Sequence, residues 1–159
     1  MTDCPFFPTI KASKVNQSER DKMSTEQNKA LVSRLLSNTF KNLSIADEIL
    51  DPNYVNYDFP APAPGIEGWK MVNQMFISAF GDLQVVIEDE IAEGNKVVSR
   101  GYFTGTHKDT FMGIPATGKH FTIKYIDIWT VVDGKLKENW VQMDMLGLLQ
   151  QLGAIPAQV

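Results

Sequence analysis

Apolar positions change their spacing once along the chain, near Gly81. Before it, Leu31, Val32, Leu35, Leu36, Thr39 and Phe40 recur every three or four residues, the period of one helix face. Ser24 and Gln27 have capping-box spacing and set that helix's start. A short second helix is predicted over 44–50, closed by Asp51-Pro52-Asn53. Trp69, Val72, Met75, Phe76, Ala79 and Phe80 mark a third amphipathic helix, stopped at Gly81. Between the last two lies "YVNYDFPAPAPGIEG", whose Pro60, Pro62 and Pro64 read as an irregular loop, crossing the surface or covering a cavity mouth.

After Gly81 the period becomes two. "LQVVIEDEIAEGNKVVSRGYFTGTH" predicts two strands around a turn at Glu93-Gly94-Asn95, and "FTIKYIDIWTVVDGKLKENWVQMD" a second hairpin around Asp133-Gly134. Gly101 and Gly105 interrupt a strand pattern, where glycine marks a bulge or bend. "DMLGLLQQLG" is a short helix, with Asp144 as N-cap and Gly153 as C-cap. Helices followed by antiparallel strands predict an α+β domain: a strongly curved sheet with three N-terminal helices on one face, and a cavity between them. Residues 1–23 show no periodicity and read as a flexible arm, leaving 24–159 as a single domain.

Composition removes several function classes. The net charge is -4 and no basic stripe is present, which argues against nucleic acid. Cys4 is the single cysteine, so there is no thiol framework for a metal. His107 and His120 are far apart and form no metal cluster. The absence of a long apolar run argues against a membrane, and the lack of a secretory h-region points to the cytoplasm. No cofactor motif is present: there is neither a Gly-rich phosphate loop nor a nucleophile elbow.

One strand carries an anomaly. In "KYIDIW", alternation puts Tyr125, Asp127 and Trp129 on one face, a carboxylate between two large aromatics. A carboxylate in such company is paired, protonated or wet.

The ordered series "GTHKDTFMGIPATGKHF", "IDIWTVVDGKLKENW" and "DMLGLLQQLG" resembles the SnoaL-like polyketide cyclase (ester cyclase) family, within the NTF2-like fold. Asp109 and Ala116 depart from that family's usual loop residues. The resemblance implies a cone-shaped α+β barrel with an apolar pocket for a small apolar molecule, often a homodimer through the sheet. It implies an intramolecular aldol-type ring closure on a polyketide ester, without metal or cofactor. In those cyclases the acid/base aspartate precedes the aspartate matching Asp144 by three residues. Here that position is Val141, which cannot transfer a proton. Tyr125, Asp127, Asn139 and Asn56 match polar pocket positions.

The Asp133-Gly134 turn fixes which residues meet. A two-residue turn would set Asp127 opposite Trp140. A three-residue turn with a bulge at Gly134 would set Asp127 opposite Asn139 and Tyr125 opposite Val141. The resemblance favours the second, which gathers Tyr125, Asp127, Asn139 and Val141 on the concave face and turns Trp140 away. Asp127 is then the only carboxylate on that face, beside Phe121, Ile123, Trp129 and Met143. Two readings stand: an acid/base group, or a structural aspartate bonded to Asn139 or a backbone amide. His107 is either a pocket acid/base or a structural strand-end residue, and Asp144 either catalytic or a helix cap. Phe76 belongs to a pocket wall or to the core. The chain is accordingly an enzyme of lyase or isomerase type, a non-catalytic binder with the same pocket, or a dimerising module whose cavity is filled by its own side chains.

Overall fold

The computed structural model describes residues 17–156, and the side chains of 24–156. Helix α1 (Gln17–Asn38) begins seven residues before the expected Ser24, which therefore lies inside the helix and caps nothing. The remainder of the predicted arm lies outside the described residues. Val32 and Leu35 are wholly buried on the face that the spacing predicted. Each such side chain contributes about 1.5–3 kcal/mol by leaving water. Helix α2 (Ile45–Ile49) follows and runs directly into strand β1 (Leu50–Asn56). Helix α3 (Gly65–Ala79) starts four residues before Trp69 and passes without a break into β2 (Phe80–Glu93). Strands β3 (Lys96–His107), β4 (His120–Val132) and β5 (Lys135–Met143) complete the sheet, and α4 (Met145–Leu152) closes the described chain.

The sheet order is β1-β5-β4-β3-β2, antiparallel except where β1 runs parallel to β5. Its curvature has local causes in β2. The pairing with β3 shifts between Gly81 and Gln84, opposite Gly105, and between Ile87 and Asp89, beside Gly101. A Cβ on Gly101 would stand 1.9 Å from the Val86 carbonyl oxygen, so only glycine allows the strands to approach there.

The β4–β5 turn has neither of the expected registers throughout. Asp133 (φ 49°) and Gly134 (φ 72°) form a tight two-residue turn with both central residues left-handed. The extra residue sits later, at Lys137, because Val131 pairs with Leu136 but Thr130 pairs with Glu138. Asp127 therefore lies opposite Val141, and Asn139 opposite Trp129. An insertion of one residue on either side of the turn gives the same faces but different partners. The expected face holds while the expected pairs do not.

The core is split. One apolar cluster joins Val32, Leu35, Ile49, Trp69, Trp129 and Leu136; another joins Phe76, Phe80, Phe111, Phe121, Leu148 and Leu152. Where they fail to merge, a cavity of about 590 Å³ remains between α1, α3, residues 54–65 and the concave face of the sheet. The cavity is thus not filled by the protein's own side chains.

Candidate functional site

Asp127 lines this cavity and is only 3% exposed. Its strand alternates inward residues Phe121, Ile123, Tyr125, Asp127 and Trp129, so the pleat itself delivers the carboxyl to the concave side. Oδ1 has no hydrogen-bond partner, nor has the Trp129 Nε1 two residues on. Burial pushes the Asp127 carboxyl from its ordinary 3.8 up to about 7. The Trp129 indole and the Ser99 amide lie near enough to oppose this in part, and the charge of Glu90 adds to it. The indole does so without the geometry of a formed hydrogen bond.

Asp127 is not the only acid on the inner face. Glu90 pairs with Ser99, Ser99 with Asp127 and Asp127 with Val141, one row across four strands. Glu90 Oε2 accepts from Ser33 Oγ on α1 at 2.7 Å, while its Oε1 is buried without a partner.

Of the other sequence candidates, Asn56, Trp129, Asn139, Val141 and Phe76 also line the cavity. Asn56 Nδ2 donates to Asn139 Oδ1 at 3.1 Å. Asn139 Nδ2 lies 3.4 Å from the carbonyl oxygens of Ile128 and Trp140 and makes no bond to Asp127. Three candidates fall elsewhere. Tyr125 is inward and buried but does not line the cavity; its hydroxyl pairs with Ser99 Oγ at 3.1 Å, and burial pushes it up to about 12. His107 is wholly buried against Phe80, with Nδ1 accepting from the Thr117 amide at 3.3 Å, which ties down the 108–119 loop. Asp144 caps α4, its Oδ1 accepting from Gly147 N at 2.8 Å. Trp140 lies on the other sheet face as expected, stacked on Tyr57 (4.7 Å) with Lys96 Nζ over its ring at 4.6 Å.

Two contributors escaped the sequence reading. Tyr54 lines the cavity from β1, a strand that the proline-rich stretch concealed. Asp58 Oδ2 accepts from Val141 N at 3.0 Å and Tyr57 N donates to Asn139 O at 3.0 Å, which fastens the start of the 57–64 loop to β5. The signal available for both was the run of aromatic and polar residues just before Pro60. Among the described residues no three His, Cys, Asp or Glu side chains gather as a metal site, and no helix is long and apolar enough to cross a membrane.

The family model for the SnoaL-like polyketide cyclase matches residues 30–152. The chain belongs to the SnoaL-like polyketide cyclase family. It is 26% identical over 115 residues to the nogalonic acid methyl ester cyclase of Streptomyces nogalater, a match covering 67% of this chain and 82% of that one. It is 39% identical over 49 residues to the aklanonic acid methyl ester cyclase DnrD of Streptomyces peucetius. That stretch spans 31% of this chain and only about a third (34%) of the relative. Among solved structures, TsrD from Streptomyces laurentii superposes with a TM-score of 0.72 at 30% identity, covering 89% of this chain and all (100%) of that one. IdmH from Streptomyces antibioticus gives 0.72 at 28% identity, covering 80% and 99%. The α+β fold with its curved sheet is thus that of the SnoaL-like proteins, as the resemblance implied.

Proposed function

We propose that this chain is a SnoaL-type enzyme acting on a small apolar carbonyl or polyketide-like ester, with Asp127 as its acid and base. The supporting observation is the place of Asp127. It is a buried carboxyl on a cavity wall, with an unpartnered oxygen and a pKa raised to about 7. A pKa near the working pH suits a group that first takes a proton and then gives it back. The ionised form removes a proton from the carbon beside a carbonyl, and the C–H electron pair moves onto the carbonyl oxygen as an enolate. The enolate carbon attacks a second carbonyl of the same molecule, forming the ring C–C bond. Protonated Asp127 then returns its proton to the new alkoxide and is restored. Asp127 faces Val141 directly across the β4–β5 pair, so the acid reaches the cavity from one strand over. Cofactor and metal play no part in this scheme.

The test uses nogalonic acid methyl ester in deuterated buffer. The wild type should exchange the proton beside the carbonyl, and Asp127→Asn should lose that exchange by at least about a hundredfold. Equal exchange in the two proteins would exclude Asp127. Val141 supports a second reading, a binder without chemistry; saturable binding of the ester without exchange would favour it.

A further inference from the structure

Asn56 is held in one orientation. Its Oδ1 accepts from the amides of Asp58 (3.1 Å) and Phe59 (2.9 Å), so a flipped side chain would turn Nδ2 against two donors. Nδ2 is thereby aimed at Asn139 Oδ1 and, at a long 3.5 Å, at the Tyr54 hydroxyl oxygen. Both its protons are committed, and Asn56 has none to offer a ligand. The Tyr54 oxygen is the acceptor in this contact, so its own proton leaves along another direction. Among the described residues no protein group accepts it. Tyr54 is 4% exposed and lines the cavity, its ring stacked on Trp129 at 6.2 Å. Burial, and secondarily the charge of Asp127, hold the phenol protonated far above its ordinary range.

We propose that Tyr54 is a second catalytic residue of this cavity, donating its hydroxyl hydrogen bond to the substrate oxygen that becomes negative. This rests on the reading of Asp127 above and supplies what that reading lacks, a donor at the oxyanion. Asp127 takes the proton from carbon and the electron pair moves to oxygen. Tyr54 keeps its proton and shares it with that oxygen, so no bond to Tyr54 forms or breaks. The ligand class is a conjugated oxyanion, an enolate or its phenolate mimic. Asn56 is the positioning residue, because it fills the acceptor side of the Tyr54 oxygen.

The probe is 4-nitrophenolate, followed by its absorbance, with Asp127→Asn as the starting protein so that no carboxylate repels it. This protein should bind the phenolate. Adding Tyr54→Phe, which keeps the ring stacked on Trp129, should weaken binding about tenfold or more. Adding Asn56→Leu, which brings in no charge, should also weaken it, and should weaken it no further once Tyr54→Phe is present. Adding Tyr125→Phe, outside the cavity lining, should leave affinity unchanged. Equal affinity with and without Tyr54→Phe overturns the assignment, as does failure of Asp127→Asn to bind the phenolate. Uptake of neutral 2-naphthol by the wild type separates the two ideas. With uptake, either result removes Tyr54 alone; without it, the cavity reading and the Tyr54 assignment fall together.

Discussion

Replacing Asp127 by Asn should shift stability in favour of the variant as pH rises from about 4 to about 7, and by a constant amount above that. The carboxyl is 3% exposed, and its folded pKa of about 7 lies above the ordinary 3.8. A raised acid pKa means that the folded state holds the proton more tightly than the unfolded chain does. Below the unfolded value both states are protonated and nothing is lost. As pH rises from there towards the folded value, the unfolded chain gives up its proton first and stability falls by about 1.4 kcal/mol per pH unit. Above the folded value the loss is complete, and the interval from 3.8 to about 7 corresponds to roughly 4 kcal/mol. Asn fills nearly the same space and carries no charge, so its own burial cost does not vary with pH. Urea unfolding of both proteins at about pH 4 and about pH 8 isolates the term. The difference between variant and wild type should grow by about 2–4 kcal/mol in favour of Asn, the lower figure allowing for local relaxation. A difference that stays constant with pH would refute a buried, neutral Asp127.

Three further outcomes follow from the same geometry. Val141→Asp sets a second carboxyl directly opposite Asp127. The two cannot both ionise cheaply, so urea unfolding should show a loss of about 2 kcal/mol or more at alkaline pH and little at acid pH. Asp144→Ala removes the α4 cap and should cost about 1 kcal/mol in the same assay, with uptake of 2-naphthol unchanged. Gly101→Ala forces a methyl group against the Val86 carbonyl and should lower stability by about 3 kcal/mol or more, read as a fall in Tm.

The sequence carried the elements whose signal is local. The period of α1, the tight turn at Asp133-Gly134, the Asp144 and Gly153 caps and the two glycines opposite the bulges depend on neighbouring residues. Asp127 was legible because alternation alone placed an acid among aromatics. The β1 strand was not: Tyr54–Asn56 gains strand geometry only by pairing with β5, some 80 residues away, and Pro52 before it with Pro60, Pro62 and Pro64 after it masked it. Register failed for a related reason. The bulge at Lys137 answers to packing, with Trp129, Thr130 and Val131 all buried in succession, and no turn residue announces it. Asn56 was legible as a pocket position, but its partners, the Asp58 and Phe59 amides, were not, because they are set by the path of the loop rather than by residue type. Tyr125 was placed on the correct face, but facing inward does not settle whether a side chain reaches the cavity or the hydroxyl beside it.

The protonation of Asp127 is the centre of this account, and carbon-13 NMR of its carboxyl carbon across a pH titration reads it directly. The resonance, assigned by its absence in Asp127→Asn, should titrate with a midpoint near 7. A midpoint near the ordinary aspartate value of about 4 would contradict the account, because the carboxylate would then be an ordinary solvated one, too weak a base to draw a proton from carbon efficiently.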